Sequence, residues 1–233
     1  IATVSRTIKI GPDRVAPTNT APKMALVTGR TISSGLLPVR LSWTGSDAMS
    51  GIARYEVGQS TDGGAYATVT TTLASSQLHR NLRSGHRYRF RVRAIDRAGN
   101  VGAWVYGSTF KLAGISQASG AVRYAGAWSN STSTVWWGGT ARSSSRAGAT
   151  ATFSFTGRSI AWVGLKAANR GKARVYVNGT LVATVDLYSA TTLKQRYVWT
   201  ANYSVSATRT IRIVVLGTSG RPRVDIDGFV VGS

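Results

Sequence analysis

The chain has 233 residues, enough for one large domain or two smaller ones. It has no cysteine, so no disulfide holds it together, and no apolar run approaches the ~18 residues of a membrane helix, so helical membrane insertion is not expected. Its 29 lysines and arginines (23 of them arginine) face 8 acids, a net charge of +21 split as +10 before and +11 after residue 112. The excess is therefore no basic tail, and such a chain adheres to polyanions at low salt whatever else it does. Twenty-six glycines, many Ser and Thr, and few apolar runs of helical period indicate an all-β protein.

Residues 1–10, IATVSRTIKI, read as one strand, and Gly11 to Thr18 as a linker containing Pro12 and Pro17. Residues 22–112 carry a strand every eight to twelve residues, near 23–29, 37–45, 53–60, 65–70, 74–80, 86–96 and 104–112, the spacing of a sandwich. Within HRYRFRVRAID, Arg87, Arg89, Arg91 and Arg93 alternate with Tyr88, Phe90, Val92 and Ala94, so strand period 2 puts all four arginines on one face. Side by side they repel unless their planes stack on Trp104 or Tyr106 with Glu56 across the sheet, which is the favoured expectation. The alternative is a ladder for phosphate, sulfate or carboxylate groups.

Trp43 in VRLSWTGSD, Tyr55 in GIARYEV, Leu82-x-x-Gly85-x-x-Tyr88 and Asp96-Arg-Ala-Gly-Asn100 together resemble bacterial fibronectin type III domains over about 90 residues. The resemblance implies a Greek-key, immunoglobulin-like sandwich over 19–112, with Trp43 and Leu82 in the core. It also implies a Tyr88 hydroxyl that bonds back near Leu82 or Arg83, and a spacer role without chemistry. Residues 1–18 would then be the last strand of a preceding immunoglobulin-like domain plus linker. Because Ile1 is not a natural start, further domains are expected upstream in a longer or processed parent.

After the small, polar stretch 113–120, strands are read at 122–128, 149–155, 160–163, 173–177, 181–186, 194–200, 208–216 and 223–231. Asn178-Gly179 between two alternating strands is a strong type I′ turn signal, because both positions need positive φ. Tyr124-x-Gly126-x-Trp128, Trp137-Gly-Gly-Thr-x-Arg142, Trp162-Val-Gly164, Val185-Asp-Leu-Tyr188-Ser and Val224-Asp-Ile-Asp227-Gly-Phe229 resemble the carbohydrate-binding-module-like jelly rolls of bacterial secreted and surface proteins. The resemblance covers 113–233 and implies a second β-sandwich, an extracellular or cell-surface setting, and a glycan or polysaccharide partner.

The chemistry-bearing residues fit binding better than catalysis. Residues 113–233 hold no histidine and only three acids, Asp186, Asp225 and Asp227, so paired acid–base work and an activated serine both lack parts and no catalytic residue is assigned. Aromatic rings cover the C–H faces of sugars while amides, cations and carboxylates take their hydroxyls. Candidate ligand contacts are Trp136, Trp137, Arg142, Lys166, Asn169, Arg170, Asp186 and Tyr188, with one of the adjacent tryptophans buried and Trp128 and Trp162 in the core. A structural Ca²⁺ needs six to eight oxygens. Asp47, Asp62, Asp96, Asp225 and Asp227 read as too few and too scattered at this net charge, so no metal or cofactor is expected. The reading is a non-enzymatic adhesive region that binds glycan. Arginine-driven polyanion binding and a structural stalk are the alternatives.

Overall fold

The computed structural model describes residues 11–33 and 35–233; the strand expected over residues 1–10 lies outside them. Among the described residues every regular element is a strand and none is a helix. They fall into two compact units. One comprises the described residues up to Lys23, Ser42–Leu78 and Arg89–Ser108, and the other Met24–Leu41, His79–Tyr88 and Thr109–Ser233.

In the smaller unit the strand Ile52–Thr61 lies between Ala67–Leu73 and Arg87–Asp96, and the short strand Val105–Tyr106 pairs with Arg91 and Val92. Alternation sends Tyr55, Val57, Phe90, Val92 and Ala94 inward, each at most 5% exposed. Trp43 is also buried, its ring 5.5 Å from Tyr55 in an edge-on contact. The Asn19 side chain clips the incoming segment on, donating to the Val92 carbonyl at 3.1 Å and accepting from the Ala94 N–H at 3.0 Å.

In the larger unit the main sheet runs Thr180–Asp186, Lys172–Val177, Leu193–Val215, Thr150–Lys166, Gly228–Gly232, Phe110–Ser116, with Val122–Ala125 also on Thr150–Lys166. A second sheet runs Ser129–Thr132, Thr140–Ser144, Val224–Ile226. Phe153, Trp162, Val175, Ile213, Val224, Ile226 and Phe229 pack between the two as one core, making this unit a β-sandwich. Fully burying a side chain of this size contributes roughly 1.5–3 kcal/mol. Leu82 is buried, and the Tyr88 hydroxyl donates to the Arg83 carbonyl at 3.1 Å while accepting its N–H at 3.0 Å, the expected corner contact.

Two pairs of expected strands are in fact single long strands. Residues 149–155 and 160–163 merge into Thr150–Lys166, and 194–200 and 208–216 into Leu193–Val215. They pair almost end to end, with residues 203–206 bulging opposite Arg158 between the partners Gly157↔Ala207 and Ser159↔Asn202. A bulge bends a strand without ending it, so the exposed stretch around Val205 resembles a loop in sequence only. The boundary expected after residue 112 falls within Phe110–Ser116, which pairs with Gly228–Gly232. Residues 26–32 also join the larger unit: Asn202 bonds both the N–H and the carbonyl of Leu26, and Ile32 donates to the Gln195 carbonyl.

Candidate functional site

Three segments of the larger unit meet around the turn 166–172. Ala167 donates to the Leu187 carbonyl at 3.1 Å and Gly171 to the Arg223 carbonyl at 2.8 Å, while Leu187 donates back to Gly171 at 3.0 Å. A side chain at Gly171 would meet the Arg221 carbonyl at 2.3 Å, so only glycine lets these backbones approach. The hairpin beside them turns at Asn178 and Gly179, with φ of 49° and 83°, as the type I′ signal requires.

Side chains complete the cluster. Arg221 grips Asp186 with two bonds, at 2.6 and 3.0 Å, and reaches the Arg170 carbonyl at 2.7 Å. That grip holds the Asp186 carboxyl below its usual range, with the Tyr188 N–H helping. The Arg221 guanidinium lies 5.2 Å from the centre of the Tyr188 ring, which is 49% exposed. Asn169 is exposed, and Lys172 stands 4.0 Å from Asp186. Beneath, Arg170 is buried and bonds both Asn169 and Asp225, and Arg223 donates to Asp225 at 2.8 Å. An exposed ring therefore lies beside an arginine that grips a carboxylate, in loops whose buried arginine is matched by Asp225.

Of the residues expected from sequence, Asn169, Arg170, Asp186 and Tyr188 come together here. Arg170 is a correction as a ligand contact, since its guanidinium is committed to Asp225 in the interior. Trp136 is the buried one of the adjacent tryptophans and so no ligand contact: it is 4% exposed, packs on Ala141, Leu165 and Ala167, and donates its ring N–H to Ser131 at 3.1 Å. Its ring supports the turn from below and offers no face to a ligand. Trp137 is half-buried, its ring against Gly114 and Gly228 and its backbone N–H shared by both oxygens of Asp227 at 3.0 Å. Arg142 belongs to a separate group, 4.4 Å over the Tyr124 ring and bonded to Asn130. Lys166 ends its strand half-buried opposite Leu193. Trp162 is fully buried as expected, whereas Trp128 is half-buried. Arg221 and Arg223 were not anticipated. The only sequence signal was the run GTSGRPR over 217–223, with glycines at positive φ at Gly217 and Gly220.

Of the four alternating arginines, Arg89, Arg91 and Arg93 in the smaller unit stack on aromatic rings as expected. Arg89 covers Tyr106 at 5.1 Å, Arg91 lies against Tyr66 at 4.5 Å and Trp104 at 4.2 Å, and Arg93 covers Trp104 at 4.6 Å while pairing with Glu56 at 2.6 Å.

The cluster is poorly equipped for acid–base chemistry. Asp186 and Asp225 are tied to arginines. Burial pushes Asp227 up to about 7, but that carboxyl is 0% exposed beneath the Trp137 backbone, out of reach of a substrate.

No family model matches the chain. A stretch of 106 residues, 46% of the chain, is 35% identical to an A type blood N-acetyl-alpha-D-galactosamine deacetylase of Flavonifractor plautii. Another of 101 residues, 43% of the chain, is 38% identical to chitinase A1 of Niallia circulans. The matched stretches span only 13% of each relative. Among solved structures, a carbohydrate-binding module in complex with calcium and xylotriose aligns with 48% of this chain and 93% of its own, at 12% identity and a TM-score of 0.33.

Proposed function

We propose that the chain is a non-catalytic, extracellular glycan-binding region of a larger carbohydrate-acting protein, and that the larger unit binds the sugar through Tyr188, Asn169, Lys172, Asp186 and Arg221. The carrying observation is the half-exposed Tyr188 ring beside the Arg221–Asp186 pair. A sugar ring stacks its C–H face on the phenol while its hydroxyls meet preset donors and acceptors, and little ordering cost is left to offset binding. The stretches shared with a blood-group galactosamine deacetylase and a chitinase support the sugar class, since both proteins are named for acting on glycans. The residues expected to form the fibronectin-like sandwich serve in this reading as a spacer.

The test is a glycan-array screen of the whole chain, followed by titration calorimetry of the best ligand against Tyr188→Ala. Affinity is expected to fall at least about tenfold, roughly 1.4 kcal/mol. Unchanged affinity in Tyr188→Ala would remove the site.

A further inference from the structure

Three of the eight acids meet in the smaller unit, on segments distant in sequence. Asp13 sits in the incoming segment, Asp47 opens the turn that leads to Gly51, and Asp96 ends the strand Arg87–Asp96. One oxygen from each lies within 4.8 Å of the others. Carboxylates this close repel unless a cation lies between them. Among the described residues no lysine or arginine makes an ion pair with any of the three, although the chain carries 29 of them. The nearby Arg97 guanidinium is directed at the Ser50 carbonyl instead, at 3.4 Å.

A second observation singles out one oxygen. Oδ1 of Asp47 accepts the N–H groups of Met49 and Gly51, at 3.1 and 2.7 Å. Its Oδ2 is closed off from water and accepts nothing. A carboxylate oxygen without solvent or donor is costly to keep, so buried ones are satisfied or coordinate a metal. Asp96 beside it is 1% exposed, with only the N–H and side-chain amide of Asn100 as donors, both at 2.8 Å. Asp13 is drawn in by the Ser50 N–H at 3.0 Å.

We propose that Asp13, Asp47 and Asp96 hold a divalent cation, and that the cation is Ca²⁺. The donors are all oxygen, with neither histidine nor cysteine among them, which selects a hard ion over zinc. Three carboxylates supply the anionic half of a six-to-eight-oxygen shell, and backbone carbonyls and water supply the rest. Mg²⁺ fits less well, because it keeps most of its water and demands a tight octahedron. The net charge of +21, which argued against a dication at the level of sequence, is an average over the whole chain. Charges beyond about 10 Å are screened at ordinary salt, and the three side chains that converge are all anionic, with Arg97 the nearby cation turned to the Ser50 carbonyl. The ion fastens the segment around Asp13 to two turns of the unit.

The experiment uses the whole chain stripped with EDTA, then titrated calorimetrically with CaCl₂ or MgCl₂, with thermal unfolding measured in parallel. One Ca²⁺ per chain is expected, bound more tightly than Mg²⁺ and raising the unfolding temperature by several degrees. Asp47→Asn and Asp96→Asn should weaken Ca²⁺ at least about tenfold, while Asp62→Asn leaves it unchanged. If Asp96→Asn does not fold, the half-exposed Asp13→Asn carries the same test. No heat and no thermal shift at millimolar Ca²⁺ would overturn the assignment, as would binding that survives Asp13→Asn and Asp47→Asn together.

Discussion

The arginines of the strand Arg87–Asp96 and those of the loops around Asp225 are the same residue used in two ways. On the strand, Arg89, Arg91 and Arg93 lie on Tyr66, Trp104 and Tyr106, and Arg93 also pairs with Glu56. The aromatic faces disperse like charges that would otherwise repel, and the guanidinium planes are spent on that. In the loops, Arg170, Arg221 and Arg223 close on Asp225 and Asp186. That closure locks three backbone segments and leaves Tyr188 and Asn169 outermost. A basic surface is therefore no guide to a binding site by itself; what matters is what the cations have already been matched to.

Breaking the loop base should have the largest effect. Asp225→Ala leaves Arg170 buried without its counter-charge, and losing one member of a buried pair costs about 3–5 kcal/mol. Urea denaturation would measure it, with loss of glycan binding accompanying the loss of stability. A pH-dependent effect separates Asp225 from its neighbour Asp227. With its folded pKa raised to about 7, Asp227 holds a proton that the unfolded chain releases near 4. Its contribution is complete below that unfolded value, falls by on the order of 1.4 kcal/mol per pH unit as pH rises, and is gone above the folded value. Asp227→Asn should flatten stability between about pH 4 and 7. Asp186 has the opposite sign: its folded pKa is lowered, so its contribution is present at neutral pH and lost on acidification below the usual carboxylate range.

The smallest stability change is expected on the strand. Arg91→Ala removes a guanidinium lying against two rings, worth about 0.5–2 kcal/mol, and should leave glycan affinity untouched. A large loss of glycan affinity in this variant would reverse the roles assigned to the two arginine sets.

Much of the architecture was readable because it is local. Period 2 in HRYRFRVRAID put the arginines on one face, and the Asn178-Gly179 turn fixed the hairpin and hence the position of Asp186 and Tyr188. What was hidden depends on partners distant in sequence. The bulge at 203–206 is defined by its register against Arg158 on the partner strand, so the strand through it looked like two. Arg221 becomes meaningful only against Asp186, 35 residues away. Adjacent Trp136 and Trp137 could not be sorted without knowing that Leu165 and Ala167 lie under the first. Asp13 looked like linker until it arrived beside Asp47 and Asp96.

The central claim is that recognition rests on the ring and loops of the larger unit rather than on bulk positive charge. It is tested most directly by titrating the best array ligand at about 0.15 M and about 1 M salt, with the native chain, Tyr188→Ala and Arg91→Ala side by side. The account predicts affinity that changes little with salt, survives Arg91→Ala and is lost in Tyr188→Ala. Binding confined to polyanions, abolished at high salt and indifferent to Tyr188, would contradict it.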